Sequence, residues 1–317
     1  MELLRELMEI ESPSGREEKI RNFIMKYLEE LGYKVLEWEY FIAANPRKKL
    51  IVATHMDTIN AKPKIRYNKK YFYGVGVCDP KASIASILMA AKSNLDYTIA
   101  FFCDEEEGGK GSRQFVKEWK WGEMAIVMEP TNLEIASKHF GGFDLEIEIT
   151  GDEFHPSVPL VGFNAIERCC EIIMKIKSLM NATPLKIQGG GDLYVTPRNC
   201  YLKLDILLDI NERLDEVIKK LEFINNFGKY KITDAYEGFV SRDVVKVIEE
   251  ALKMSGLEIK HTTMPSWTDA QNLKEKFDVV VWGPGDLSYC HTNQEKIGIR
   301  DIQIASKVLV NLNKVDV

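Results

Sequence analysis

The chain has 317 residues, 45% apolar and 28% charged, enough for one large globular domain or two ordinary ones. Its 48 acidic and 42 basic residues leave a net charge of −6, and no concentrated basic stripe appears, which argues against a nucleic-acid partner. No stretch is long and apolar enough to cross a membrane, and the charged, helically patterned start Met1–Arg5 is unlike a signal peptide. Six cysteines without C-x-x-C spacing point to a reduced, cytoplasmic setting.

Residues 1–31 read as helix. Ser14-Gly15-Arg16-Glu17 has the capping-box pattern and opens an amphipathic run from Glu18 to Leu31, closed by Gly32. Strands are predicted near Val35–Tyr40 and Leu50–Thr54. Lys70–Val77 holds a Gly74-Val75-Gly76 turn and leads into Asp79-Pro80-Lys81. Ala82–Lys92 is a helix of small residues, suited to close packing on a sheet. A strand at Thr98–Cys103, a helix at Ser112–Glu118 and a strand at Met124–Met128 follow. This alternation predicts an α/β fold, with a mixed, mostly parallel sheet and helices on both faces.

The rhythm changes near Gly141. Phe143–Ile149 alternates strictly, as a strand with one wet face does. A helix at Asn164–Leu179, a strand at Tyr201–Leu207, a helix at Leu214–Phe223 and a strand at Lys229–Thr233 follow. These read as an inserted α+β domain over 141–235. From Ser241 the first rhythm resumes, with Val244–Met254, Val279–Trp282 and Asp301–Leu312, so the larger domain is expected over 1–140 and 236–317.

The chemistry gathers at strand ends. Thr98–Phe102 runs into Cys103-Asp104-Glu105-Glu106-Glu107. Four successive acids after a buried strand cannot enter the core, because each bare carboxylate costs too much to desolvate. A lone acidic run is usually a solvated turn. Three other apolar runs end alike, in His55-Met56-Asp57, in Glu129-Pro130-Thr131, and through Gly283-Pro284-Gly285 to His291. Open α/β sheets bind ligands at these ends. The set suits a two-metal hydrolytic site, which needs a bridging ligand, terminal ligands and a base. His55 and His291 supply nitrogens, Glu106 and Glu129 carboxylates, and Asp79, after its Gly-rich turn, can bridge. Asp57 sits where it can orient the His55 imidazole. Glu105 is the candidate general base. Mixed His and carboxylate ligation suits Zn²⁺ or Co²⁺ better than Mg²⁺. Cys78, Cys103 and Cys290 also lie beside these residues, but small buried cysteines are the commoner case.

At these residues the sequence resembles the co-catalytic zinc metallopeptidases that include acetylornithine deacetylase, succinyl-diaminopimelate desuccinylase, aminoacylase and carboxypeptidase G. The shared marks are His55-Met56-Asp57, Gly74–Lys81, Glu105–Gly111, Glu129-Pro130-Thr131 and His291, in family order across almost the whole chain. Gly151–His155 followed by Pro159–Ile166 is similar to the family's lid, or dimerisation, domain. The resemblance implies two divalent ions, with His55 and Glu129 on one, Glu106 and His291 on the other, and Asp79 between them. It makes Asp57 the orienting carboxylate and Glu105 the base. A shift of one along the acidic run would make Glu106 the base, but Gly111 keeps the family spacing only for Glu105. It implies a homodimer joined by the lids, with His155 polarising the scissile carbonyl in the partner subunit's site. It also implies a cis peptide after the bridging aspartate, which Pro80 makes cheap at Asp79-Pro80.

Within the family the nearest likeness is to hydrolases of lysine and arginine biosynthesis. They free lysine or ornithine from an amino-group carrier protein or a small N-acyl precursor. A desuccinylase-like deacylase and a di- or aminopeptidase are the neighbouring readings. A non-catalytic module of the same fold would lack a ligand or the base, and none is missing. Two departures stand out. Ala82 replaces a usual Gly, and Asp205-Ile206-Leu207 lacks the lid arginine that grips a substrate carboxylate in many relatives.

Overall fold

The structure, a computed structural model, describes residues 2–61, 64–158 and 162–316. It divides into two compact units. The larger holds Met1–Lys138, Ser241–Met264 and Thr268–Val317; the smaller holds His139–Val240 and Pro265–Trp267.

The larger unit is built on a sheet whose strands run Val35–Glu37, Phe41–Ala44, Thr98–Phe102, Leu50–His55, Met124–Val127, Asp278–Val281, Ile135–His139. The central four are mutually parallel. Those outside them pair antiparallel. Both faces are covered, which is why the central strands read as continuous apolar runs. On one face Val52, Ile99, Phe101, Ile126 and Val280 share a core with the helices Glu18–Glu30, Lys81–Ala91, Val244–Met254 and Ile299–Leu312. Ten of the eleven residues of Lys81–Ala91 are buried, as its small side chains allow. On the other face Phe41 and Phe102 pack on Phe115 of the helix Lys110–Glu118. Gly111 lets that helix approach the strand end. A Cβ there would lie 2.6 Å from the Cys103 nitrogen and 2.7 Å from Phe102 Cβ. A separate ladder pairs Tyr71–Tyr73 with Arg66–Tyr67 and with Lys296–Gly298.

Several local expectations are corrected. The predicted helix over 1–31 is two helices, Glu2–Glu9 and Glu18–Glu30. Pro13, which has no N–H to continue a helix, instead forms an isolated bridge with Thr58. The predicted capping box does not cap: Glu17 stands at the N-cap without a side-chain cap bond. The predicted strand Val35–Tyr40 stops at Glu37, and a further strand, Phe41–Ala44, pairs back on it. Gly32 does end its helix as expected, at φ +87.

The smaller unit has one four-stranded antiparallel sheet, in the order Asn181–Gly189, Asn199–Leu208, Gly141–Thr150, Gly228–Tyr236. Leu145, Ile147, Leu202, Leu204 and Ile206 line its core with the helix Ala165–Leu179. Asn164 caps that helix, its Oδ1 accepting the Ile166 N–H at 2.9 Å. The predicted helix Leu214–Phe223 is a short helix, Leu214–Lys219, followed by a 3₁₀ turn, Glu222–Asn226. The strand Asn181–Gly189 was not foreseen. It follows its helix almost directly, all but one of its residues are exposed, and it carries Pro184 beside a register shift. Proline is tolerated on such an edge because no neighbour there needs its N–H. The chain order of the unit is thus β-α-β-β-α-β.

Candidate metal centre

All four parallel strands end at one place. His55 closes Leu50–His55, the acidic turn follows Thr98–Phe102, Glu129 follows Met124–Val127, and the segment after Asp278–Val281 leads to His291. Gly283 lets two of these ends meet, since a Cβ there would lie 2.6 Å from the Glu129 carbonyl oxygen. Asp104 and His291 both take the left-handed backbone region, at φ +65 and +62. Such positions in non-glycine residues gather at functional sites.

Asp79 stands in the middle. Its Oδ1 lies 2.8 Å from His55 Nε2 and its Oδ2 3.7 Å from His291 Nε2. His55 Nε2 is also 3.9 Å from Glu129 Oε2, and His291 Nε2 is 3.1 Å from Glu106. Two donor groups result, His55–Asp79–Glu129 and Asp79–Glu106–His291, with atoms within 4.8 Å of one another in each. Asp79 belongs to both. Glu105 falls in a third such group, with His55 and Glu106. The Asp79-Pro80 peptide is cis, as expected. His155 lies in the smaller unit. Its Nδ1 accepts the Ser157 N–H at 3.2 Å, and its ring meets the Tyr194 ring edge-on at 5.4 Å. Of the motif that follows it, Pro159, Leu160 and Val161 lie outside the described residues.

Asp57 does more than the sequence suggested. It faces His55 Nδ1 at 3.4 Å, although without the alignment of a hydrogen bond. Its two oxygens also accept the N–H groups of Glu105 and Glu106, each at 3.0 Å. Ser14 Oγ donates to it at 2.7 Å. Glu17 takes a parallel role, accepting the Gly15 and Asp104 N–H groups at 3.0 and 3.1 Å. The residues read as a helix cap therefore hold the acidic turn. Sequence reasoning missed Ser14, Glu17, Asp269 and Glu295 as members of this region. Ser14 and Glu17 carried only a cap pattern, and Glu295 lay four residues after His291.

The electrostatics are those of acids crowded out of water. Burial pushes Glu105 and Glu129 well above the usual carboxylate range and raises Glu106 as well. Burial also pushes Asp269 and Glu295 to about 7. Burial alone would depress His55, but Glu105, Glu129, Asp57 and Asp79 outweigh it and raise the imidazole well above its ordinary value. The Glu106 hydrogen bond raises His291 to about 9. Asp57 goes the other way: burial would raise it, but the adjacent His55 imidazole and hydrogen bonds from Ser14 and the Glu106 N–H hold it below its ordinary value. The cluster calls for positive charge, and Glu129 Oε1 is buried without a hydrogen-bond partner. Imidazole nitrogens and carboxylate oxygens at these separations fit two divalent cations that share Asp79.

A parallel sheet whose carboxyl ends converge on such donors defines a metal-dependent hydrolase of the two-cation class. The family model described as peptidase family M20/M25/M40 matches residues 51–314, and the chain belongs to that family. It is an enzyme that hydrolyses amide bonds. The chain is 27% identical over 326 residues to a LysW-lysine/LysW-ornithine hydrolase of Sulfurisphaera tokodaii, covering 98% of this chain and 93% of that protein. Its fold is similar to a tripeptidase of Staphylococcus aureus, with TM-score 0.84 at 20% identity over 99% of this chain and 96% of the other. It is also similar to an M20 metallo-carboxypeptidase of Sulfolobus solfataricus, with TM-score 0.78 at 18% identity over 98% and 97%. No helix among the described residues is long and apolar enough to cross a membrane.

Proposed function

We propose that this hydrolase frees lysine or ornithine from a carrier protein, or from a small N-acyl precursor, in the cytoplasm. One observation carries the catalytic part: the two oxygens of Asp79 face two different imidazoles, each backed by its own glutamate. His55 and Glu129 would hold one cation and Glu106 and His291 the other, with Asp79 the ligand common to both groups. When bound, Zn²⁺ or Co²⁺ ions activate water and polarise the scissile carbonyl. Glu105 takes the proton from the attacking water and returns it to the leaving amine. Its backbone N–H, tied to Asp57, fixes where that carboxylate starts. Glu106 serves as a ligand rather than the base because it already faces His291.

His155 supplies a donor to the developing oxyanion. The Ser157 N–H occupies its Nδ1, so in the neutral ring the proton sits on Nε2. The exposed edge strand Asn181–Gly189, with Leu185 and Ile187 at 58% and 51% exposure, supports a homodimer formed through the smaller unit. His155 then acts in the partner subunit's site. The curated relative's substrate, together with coverage of nearly its whole length, supports lysine or ornithine release.

The experiment is a substrate panel assayed with Zn²⁺ and with Co²⁺. It holds a carrier-linked lysine and ornithine, their N-acetyl and N-succinyl forms, N-succinyl-diaminopimelate, and simple di- and tripeptides. Carrier-linked or N-acyl lysine and ornithine should give the highest kcat/KM. Preference for the peptides would replace this reading with a peptidase.

A further inference from the structure

Glu295 has no role in the chemistry described so far, yet it is 1% exposed and sits against the loop that carries Asp79. The placement follows from a strand pairing. Lys296–Gly298 pairs antiparallel with Tyr71–Tyr73, with Lys296 opposite Tyr73. That ladder sets Glu295 beside Gly74, where the loop begins. The Glu295 carbonyl oxygen accepts the Gly74 N–H at 3.1 Å. Its side chain then reaches the far end of the same loop. Oε1 accepts the Cys78 N–H at 2.8 Å and the Asp79 N–H at 3.2 Å. One residue thus grips both ends of a six-residue segment, Gly74 to Asp79.

Asp57 offers a parallel. It is a buried carboxylate that accepts two successive backbone N–H groups, at Glu105 and Glu106, and so fixes the acidic turn. Glu295 does the same for Cys78 and Asp79. It does so from the segment that also carries His291, four residues earlier. A bridging carboxylate is the most demanding ligand in a two-cation site, because both of its oxygens must be aimed. A charged acceptor on its own backbone N–H is a strong way to fix it. Glu295 Oε2 is buried and has no hydrogen-bond partner. A carboxyl kept in such a place serves its other oxygen.

The geometry points to Glu295 as the positioning residue that aims Asp79 and couples its loop to the His291 loop. This rests on the reading of Asp79 as the shared ligand. Glutamine should substitute in part, since its carbonyl oxygen can accept both N–H groups. Alanine cannot accept either, and aspartate, one methylene shorter, cannot reach both.

The test measures cation binding and steady-state kinetics in Glu295→Gln, Glu295→Asp and Glu295→Ala, with Zn²⁺ and Co²⁺ titrated against a chelator. Glu295→Ala and Glu295→Asp should bind the ion pair about 10–100-fold more weakly, the usual range for residues that orient ligands. Their kcat should fall while KM changes little, and Glu295→Gln should recover most of both. If Glu295→Ala fails to fold, Glu295→Asp and Glu295→Gln still separate the outcomes. Parent-like cation affinity and kcat in folded Glu295→Asp would overturn the inference. So would equal losses in Glu295→Gln and Glu295→Asp, which would mark a packing role rather than acceptance of the two N–H groups. Failure of the parent protein to take up two ions would be a different result, striking the shared-ligand reading itself.

Discussion

The two units treat the same residue types in opposite ways. In the larger, acids follow strands whose faces are both covered, so the carboxylates are buried together at the strand ends. In the smaller, Asp144, Glu146 and Glu148 alternate with Phe143, Leu145, Ile147 and Ile149 along one strand and stay on the face away from the core. There they meet water and lysines, as Asp144 meets Lys203 at 2.6 Å. Carboxylates with water available cost little and do little. Carboxylates forced together without it must find protons or cations. The difference shows that an acidic run becomes chemistry only through the strand end beneath it.

The largest expected consequence of this difference is at Glu105. Glu105→Gln should keep the fold and both cations but lose kcat by about 10²–10⁴, the range for general acid–base catalysis. Turnover near the parent level would move the base to Glu106. Asp57→Asn comes next, because the Glu105 and Glu106 N–H groups bond different oxygens of Asp57, of which asparagine keeps only one, and the amide carries no charge toward His55. Cation binding should weaken by about 10–100-fold, read by competition with a chelator. Unchanged affinity would mean that the acidic turn holds its shape without Asp57.

A smaller effect is a dependence on pH. In the metal-free protein the His291 pKa is raised from 6.5 to about 9 by Glu106. The stability contributed by this protonated pair is fully present below about pH 6.5 and is lost as pH rises through about 9. Cation uptake near pH 7.5 must therefore displace that proton. Titration calorimetry in buffers of different ionisation enthalpy should show proton release near neutrality, fading above pH 9. Heats independent of the buffer would contradict it. The smallest effect belongs to the other unit. Asp144→Asn removes a partly exposed pair with Lys203 and should change the unfolding free energy by no more than about 1 kcal/mol in a denaturant melt. A larger loss would mean that this face is not simply solvated.

Much of this was legible from residues alone. The central strands announced themselves because burial on both faces leaves no polar alternation. His55, Asp79, Glu106, Glu129 and His291 stood out because each follows an apolar run or a Gly-rich turn, and the structure brings all five together. Gly32 stopped its helix where its freedom at positive φ predicted. The misses share a cause. Ser14 and Glu17 carry a local cap pattern, but Asp57 and the Asp104 N–H, 43 and 87 residues away, compete for the same side chains and win. The edge strand Asn181–Gly189 has no face to bury, so no periodicity marks it.

The sequence by itself determined the periodicities, the turns and the identity of the donors, because these depend on neighbours a few residues apart. The tertiary structure alone decided which donors share a carboxylate, which backbone groups Asp57, Glu17 and Glu295 hold, and how far protons are pushed from their ordinary positions. Those depend on strand order and on the loss of water, and neither is written in any one stretch of chain.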